Sequence, residues 1–178
     1  MSPMDSEEQL DIVTEEGSVV STVGKSVAHR DGLLHQIVIA ELKNKNGEYC
    51  FVQQAPDRQD PGQFVSPVGG HVSAGETLEQ ALIRESQEEV GITPIRYRFL
   101  GKTRYDREVI GRHENHLFCV FEIETDEPPV LNHESVAFHY FSPAEIKQTL
   151  RDNPQLFGAA WHHVFKNILP YIYLPQYG

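Results

Sequence analysis

A short glycine turn leads into a helix that ends in clustered glutamates, and this segment constrains the fold more than any other. Residues 69–92 read GGHVSAGETLEQALIRESQEEVGI. Glu85, Glu88 and Glu89 stand at positions i, i+3 and i+4, which places them on one face of a helix. Carboxylates packed that closely repel one another unless a cation lies among them. The segment therefore indicates a metal-dependent chemistry of phosphates.

The charge of the whole chain limits its partners. The formal net charge is −11 over 178 residues, whereas sequence-independent binding of DNA or RNA needs a cationic face. We therefore expect no nucleic-acid partner. An acidic protein that handles phosphates must supply local positive charge, through a bound metal or a few placed Arg and Lys side chains. The glutamate helix agrees with a bound metal.

The N-terminus and the cysteines predict a protein of the cytoplasm. The first residues, MSPMDSEEQLD, are polar and acidic, unlike a signal or transit peptide. No apolar run reaches the length of a membrane span, so we expect no membrane partner. Cys50 and Cys119 lie far apart in apolar segments, which favours two core thiols in a reduced compartment. The polar composition of residues 1–9 predicts a disordered tail. The length of the chain predicts a single domain over residues 10–178.

Hydrophobic periodicity and turn residues predict a sheet packed between helices. The predicted strands are a hairpin of residues 11–14 and 18–23, followed by 35–42, 49–54, 97–104, 117–123 and 136–141. The predicted helices are 76–90, 142–150 and 154–169, and the predicted loops include 55–68 and 105–116. This order indicates an α/β or α+β fold with a mixed sheet and an N-terminal β-hairpin extension.

The glutamate segment resembles the signature of the Nudix hydrolase family, and we call this segment the box. Its seven fixed residue identities are all present, and a chance match at a given start is on the order of one in 10⁸. Ser86 stands where the family usually carries an aliphatic residue. The resemblance implies a Nudix-type α/β/α sandwich. The fixed residues are Gly70, Glu76, Arg84, Glu85, Glu88, Glu89 and Gly91.

The resemblance also implies a metal site at the helix. The expected ligands are all oxygens, which suit Mg²⁺ first and Mn²⁺ second. Glycine allows the backbone to approach a metal closely. The predicted metal-binding residues are Gly70, Glu85, Glu88 and Glu89.

The implied reaction is the hydrolysis of a diphosphate bond that links a nucleoside to another group, so the expected partner is a small diphosphate. Glu85 and Glu89 are the predicted direct ligands of the metal, and Glu88 adds a direct or water-mediated contact. The predicted catalytic residues are Glu88, Glu89, Glu134 and Arg84. The general base is either Glu89 or Glu134, which precedes a predicted strand. Glu134 is equally compatible with an exposed loop position. Arg84 is expected to pair with Glu76 and to brace the loop against the helix.

A wider resemblance, over roughly residues 10–165, is to the isopentenyl-diphosphate isomerase branch of the family. It rests on HRDGLLH, PGQFVSPVGGH and ENHLFCVFEI. Isomerases of this type carry a cysteine directly before the Gly-His of the box, where this chain has Gly69 before Gly70-His71. The thiol is one of two groups that the isomerisation needs. The sequence therefore favours a hydrolase on an isomerase-like scaffold, with an isomerase and an idle nucleotide-binding module as alternatives.

A second metal site is a further hypothesis. Five residues resemble the metal ligands of the isomerase branch, and histidine with carboxylate can hold Mn²⁺ or Zn²⁺. The gap between the first two histidines is one residue shorter than in that branch, and a histidine replaces a glutamate. The alternative is a set of polar residues that line loops. The five are His29, His35, His71, Glu114 and His116.

Four cations are candidates for contact with the substrate: Arg58, Lys102, Arg104 and Arg112. Arg107, in the same cluster, is a further candidate for contact with a distal phosphate. The alternative is that they balance nearby acidic residues. No motif in the predicted loops identifies the base, the sugar or the leaving group. The N-terminal hairpin is a possible contact in a homodimer.

Overall fold

The computed structural model describes residues 6–109 and 111–175. Within these ranges there are nine strands, five helices and one 3-10 turn. Of the predicted tail, residues 1–5 lie outside the described residues, and Gln9 already pairs with Gly24. In chain order the elements are β1 (Gln9–Val13), β2 (Val19–Gly24), α1 (Lys25–Asp31), β3 (His35–Lys43), β4 (Tyr49–Gln54), β5 (Phe64–Val65), β6 (Val68–His71), α2 (Leu78–Val90), β7 (Arg96–Val109), β8 (Arg112–Glu124), β9 (Ser135–Phe141), α3 (Pro143–Asp152), the 3-10 turn (Pro154–Leu156), α4 (Ala159–Ile168) and α5 (Pro170–Tyr173).

Strand β3 is the centre of a mixed sheet. It is antiparallel to β4 and β6 and parallel to β8. Strand β1 pairs with it antiparallel at one residue pair, Ile12 with His35. Successive residues of a strand face opposite sides, so Val38 packs in a core with Ala81 of α2 while Ile39 packs in a core with Trp161 of α4. Helices therefore cover both faces. The predicted α+β fold, an α/β/α sandwich with an N-terminal hairpin, is confirmed.

Helix α2 carries the glutamates, and its own sequence defines both ends. The Thr77 hydroxyl accepts a hydrogen bond from the Gln80 backbone N–H at 3.1 Å, and the Gln80 side chain accepts one from the Thr77 N–H at 2.9 Å. This reciprocal pair is a capping box. Gly91 ends the helix with a φ of 66°, which favours glycine. The helix begins at Leu78 rather than at residue 76, because Thr77 takes the N-cap position.

Helix α1 was not predicted. Its seven residues, KSVAHRD, are too few for a stable isolated helix, so packing must stabilise it. Ala28 is fully buried against Leu10 and Ile12 of β1, and Gly32 ends the helix with a φ of 64°. This short helix places His29 in the interior.

The predicted loop over residues 105–116 is wrong. Strand β7 continues to Val109 and β8 begins at Arg112, so the two form one long antiparallel ribbon. The polar residues that suggested a loop instead face one another across the two strands, and Arg107 with Glu114 is a pair of opposite charge. Such pairs stabilise a ribbon that has little apolar surface.

The predicted C-terminal helix is present as α4 but begins at Ala159 rather than at residue 154, because the chain is interrupted before it. The Gly158 N–H donates to the Phe64 carbonyl at 2.9 Å and ties the chain to β5. Phe157 enters the core and stacks on Trp161, with 3.9 Å between ring centroids. Helix α3 begins as predicted, because Ser142 and Glu145 form its capping box.

Two observations bear on the setting of the protein. None of the helices in the described ranges is both long and apolar enough to cross a membrane. Cys50 and Cys119 are buried in β4 and β8, and burial raises the pKa of Cys50 to about 12 and that of Cys119 to about 11. Both thiols therefore stay protonated at neutral pH.

Candidate active site

A cavity of about 230 Å³ opens where β4, β6, α2 and the loop before β9 meet, and we call it the cleft. Its walls combine apolar and charged groups. Val52 and Trp161 supply apolar surface from the sheet and α4. Its charged and backbone groups include Gly69, Glu89, Glu134, Arg58, Asp60 and Arg107.

Gly70 and Glu85 are in such close contact that no side chain fits between them. A Cβ atom at Gly70 would lie 2.1 Å from Cδ of Glu85, whereas a Cβ at Gly69 would have nothing within 4 Å. The strand packs onto α2 at this point, which explains the need for glycine at position 70. The contact brings the backbone at Gly70 next to a carboxylate that is 9% exposed.

Glu89 lies one turn beyond Glu85 and reaches the cleft. Its Oε2 accepts a hydrogen bond from the Gly69 N–H at 3.3 Å. Burial, and secondly the charge of Glu85, raise the pKa of Glu89. A divalent cation would compensate for both effects, because it stabilises the ionised carboxylates. In contrast, the Glu88 side chain is 60% exposed and lies 3.5 Å from Arg84 Nη1.

Arg84 connects the turn and the helix. Its Nε and Nη2 donate to the two carboxylate oxygens of Glu76, both at 2.8 Å, and its Nη1 donates to Glu85 at 2.7 Å. Nη2 also donates to the backbone carbonyl of His71 at 2.9 Å. The bidentate pair with Arg84 lowers the pKa of Glu76. Arg84 therefore fixes Glu85 relative to strand β6.

Glu134 and Arg58 meet at the rim of the cleft. Arg58 Nη2 lies 3.2 Å from Glu134 Oε1, and each side chain is a little over one third exposed. Glu134 therefore lies in the cleft with a cation beside it. Its charge is also one of the groups that raise the pKa of Glu89.

The other three candidate cations do not line the cleft. Lys102 donates to the Glu16 carbonyl at 2.7 Å, Arg104 to Glu15 at 2.9 Å, and Arg112 to Glu114 at 2.8 Å. On the long β7–β8 ribbon, Lys102 and Arg104 reach the segment that links the strands of the N-terminal hairpin, and Arg112 pairs with Glu114 of the ribbon itself. Arg107, from the same cluster of cations, does line the cleft.

Four histidines from four separate elements form a cluster on the other face of β6. Their ring nitrogens lie within 4.8 Å of one another. The cluster contains His29 of α1, His35 of β3, His71 of β6 and His116 of β8. Glu114 is buried beside it, with Oε2 at 3.8 Å from His116 Nδ1, and is paired with Arg112 at 2.8 Å and Arg107 at 3.5 Å.

The four rings have unused nitrogen atoms. In each, Nε2 is buried and finds no hydrogen-bond partner among the described residues. Burial lowers the pKa of all four, to about 4 for His35 and about 2 for His71 and His116. Neutral imidazoles with a free nitrogen are the form that binds Zn²⁺ and related metals.

Known families account for this combination of fold and box. A model of the NUDIX domain matches residues 33–159. The chain is also 32% identical over 147 residues to an uncharacterized Nudix hydrolase of Streptomyces coelicolor, covering 81% of this chain and 80% of that one. The chain therefore belongs to the Nudix family.

Relatives within the family carry different activities in their names. An isopentenyl-diphosphate Delta-isomerase of Photobacterium profundum is 29% identical over 176 residues, or 93% of this chain and 94% of the isomerase. An 8-oxo-dGTP diphosphatase of Escherichia coli is 38% identical over 93 residues, or 52% of this chain and 70% of that enzyme. The similarity to the isomerase branch is thus confirmed, and it does not by itself choose between the two reactions.

Solved structures agree on the fold. The crystal structure of DR0079 from Deinococcus radiodurans superposes with a TM-score of 0.69 at 24% identity, covering 89% of this chain and 98% of that one. A MutT protein from Methanosarcina mazei gives a TM-score of 0.63 at 21% identity, covering 78% and 94%. At these identities the likeness concerns the fold alone.

Proposed function

We propose that this Nudix protein is a hydrolase that cleaves a diphosphate bond in a nucleoside diphosphate derivative or a related small molecule, with Mg²⁺ or Mn²⁺ as its metal. The observation that carries the proposal is the contact of Gly70 with Glu85 beside the buried Glu89. Two carboxylates and a bare stretch of backbone offer only oxygen donors. Such donors match the preference of Mg²⁺.

The metal would be held by Glu85, Glu89 and the backbone at Gly70, and exposed Glu88 would act through water. When bound, it would neutralise phosphate oxygens and make a water molecule more acidic. Arg84 would hold Glu85 in place through the 2.7 Å hydrogen bond and would be a positioning residue. This arrangement supports the roles that the family resemblance implies.

Two carboxylates of the cleft can accept the proton of the attacking water. Glu89 can do so from within the buried pair, and Glu134 from the rim, where Arg58 lies 3.2 Å away. Variants separate the two. If Glu134 is the base, Glu134→Gln lowers kcat strongly and leaves Mn²⁺ affinity unchanged, whereas Glu89→Gln lowers both.

The isomerase alternative is disfavoured by the groups around the cleft. Gly69 stands at the position of the isomerase thiol. No cysteine is among the described residues that line the cleft, since Cys50 and Cys119 are buried in strands elsewhere. The alternative of a nucleotide-binding module without catalytic activity would be supported if a glutamate of the box were missing. All the glutamates of the box are present.

A second metal site, for Zn²⁺ or Mn²⁺, is proposed at His29, His35, His71 and His116. The carrying observation is that each ring has a buried Nε2 with no partner in the described ranges. Glu114 is adjacent but is neutralised by Arg112 and Arg107. Metal analysis of protein purified without added metal tests this site. About one bound ion per chain supports it, and absence of any transition metal removes it.

The remaining proposals concern the assembly and its setting. We propose a single domain over residues 10–178 that works in the cytoplasm, where its two buried thiols stay reduced. The N-terminal hairpin is the proposed homodimer contact, because Val19 and Val20 of the sheet-edge strand β2 are 60% and 63% exposed. Sedimentation velocity of wild type and Val20→Lys tests this: a monomeric wild type would refute it.

The reaction itself is tested with a panel of nucleotides, nucleotide sugars and isoprenoid diphosphates, each with and without Mg²⁺. We expect Mg²⁺-dependent release of a phosphate product from at least one member. Glu89→Gln should lower the rate about 100-fold or more, as expected when charge stabilisation at the reacting centre is lost. Glu79→Gln, an exposed glutamate on the same helix, is the matched control. Isomerised product without hydrolysis would overturn the proposal.

A further inference from the structure

If the ligand of the cleft is a diphosphate, the lining of the cleft carries too little positive charge to balance it. Three carboxylates line it, from Asp60, Glu89 and Glu134. Arg58 is already paired with Glu134 at 3.2 Å. A metal at Glu85 and Glu89 would offset the charge of those two residues, so an anionic ligand needs a further cation.

Arg107 is placed to be that cation. Of the described residues that line the cleft, only Arg58 and Arg107 are basic. The Arg107 side chain is 21% exposed, so its charge is partly shielded from solvent. Its Nε is buried and makes no hydrogen bond within the described part of the chain. The terminal nitrogens of the guanidinium are therefore the donors to consider for a ligand in the cleft.

The guanidinium is also held in one orientation. Its Cζ lies over the Tyr105 ring at 5.0 Å from the centroid, a cation–π arrangement. With the Gln59 amide oxygen turned toward it, Gln59 accepts hydrogen bonds from both Nη1, at 3.1 Å, and Nη2, and each of these nitrogens carries a second N–H. Tyr105 is on β7 and Gln59 is in the loop before β5, so Arg107 joins two walls of the cleft. A planar donor held this way is suited to bidentate binding of phosphate.

Neutralising Glu114 is not sufficient to explain Arg107. Arg112 donates to Glu114 at 2.8 Å, whereas Arg107 lies 3.5 Å from the same carboxylate. The charge of Arg107 also acts on Asp60 in the cleft, whose pKa it lowers against the larger, opposite effect of burial. Arg112 does not line the cleft, and Arg107 does.

We propose that Arg107 binds a phosphate group of the substrate inside the cleft and thereby selects diphosphates over uncharged or singly charged ligands. This inference rests on the proposed function for the identity of the ligand. Its test, however, requires no turnover. Arg107 is on this account a binding residue that acts together with the metal site.

The test is the binding of inorganic pyrophosphate in the presence of Mg²⁺, measured by calorimetry on the full chain. Losing a charged hydrogen-bond donor to phosphate should weaken binding about tenfold to a hundredfold in Arg107→Gln. Arg107→Lys, which keeps the charge but not the planar fork, should fall between wild type and Arg107→Gln. Arg112→Gln is the matched control, since it contacts the same Glu114 from outside the cleft, and should stay within about twofold of wild type.

Equal weakening in Arg107→Gln and Arg112→Gln would overturn the proposal, because the effect would then come from Glu114. Unchanged affinity in Arg107→Gln, or no pyrophosphate binding by wild type, would also overturn it. Hydrolysis of the substrate panel is scored separately. If the chain binds pyrophosphate through Arg107 but hydrolyses nothing, the proposed function fails and this inference stands.

A measurement on the wild-type chain covers the case in which Arg107→Gln does not fold. Phenylglyoxal modifies accessible arginines, and mass spectrometry gives the extent at each one. We expect pyrophosphate with Mg²⁺ to protect Arg107 and to leave exposed Arg30 unprotected. Equal modification of Arg107 with and without pyrophosphate would refute the inference.

Discussion

Two neighbouring residues of one strand serve two chemically different regions. Gly70 is pressed against Glu85 on the α2 side of the sheet, and His71 joins the histidine cluster on the other side. The first region offers charged oxygens at an open cleft, and the second offers neutral nitrogens in the interior. Alternation along a strand is what separates them by a single peptide unit. A short strand can therefore support a site for a hard cation and a site for a softer one.

The two regions also differ in how they are held. The glutamate region is local, since Gly70, Glu85 and Glu89 come from one turn and one helix that Arg84 ties together. The histidine region draws each ring from a different element. The carbonyl of His71 accepts a hydrogen bond from the same Arg84 at 2.9 Å, so one guanidinium contacts both the glutamate region and the histidine region.

The strongest way to break the glutamate region alone is Gly70→Ala. The new methyl would collide with the Glu85 carboxylate, since the Cβ would lie 2.1 Å from its Cδ. We expect hydrolysis to fall about 100-fold or more, together with the affinity for Mn²⁺. Gly69→Ala is the matched comparison, because its methyl would have no atom within 4 Å. Similar losses of Mn²⁺ affinity in both variants would show that the close contact is not what matters.

The histidine region can be broken separately with His35→Asn. The substitution removes the unused Nε2, and we expect bound transition metal to fall from about one ion per chain to almost none. In wild type, chelation should lower Tm by several degrees, because a metal that binds only the folded state stabilises it. The variant should lose this response. His139→Asn, an exposed histidine on β9, should behave as wild type. A variant that still bound the metal would contradict the assignment.

A smaller effect tests whether a raised carboxyl pKa is by itself a mark of a metal site. Glu41 is fully buried, and burial raises its pKa to about 8, yet the hydrogen-bond partner of its carboxyl group is Ser66. The folded pKa lies above the unfolded value, so the unfolded state holds fewer protons between pH 4.5 and 8 and stability falls as pH rises through that window. The fall should be about 1 kcal/mol per pH unit.

Glu41→Gln should reduce this slope by about 1 kcal/mol per pH unit in urea unfolding series at pH 5 to 8 and leave Mn²⁺ affinity unchanged. The raised pKa of Glu89 contributes a slope of the same sign that should remain. A slope equal to that of wild type would mean that Glu41 does not contribute to it. A loss of Mn²⁺ affinity would mean that the glutamate region extends further into the sheet than Gly70 and Glu85.

The contrast between the two regions also explains what the sequence could predict. The box, the capping residue Ser142 and the strand 49–54 were predictable because local spacing determines them. Helix α1 and the β7–β8 ribbon were not, because packing and cross-strand pairing stabilise them. Arg107 was therefore predicted only as one of a group of cations, and its place in the cleft follows from the ribbon. The histidines were found only through resemblance, since no local pattern connects four distant segments.

The most direct test of the central claim uses the best substrate of the panel in ¹⁸O-labelled water. If the glutamates beside Gly70 hold a metal that promotes attack by water, each turnover places one ¹⁸O atom in one phosphate product. Incorporation should require Mg²⁺ and be lost with activity in Glu89→Gln. Turnover without ¹⁸O in the product, or with the same incorporation and rate in Glu89→Gln, would contradict the account.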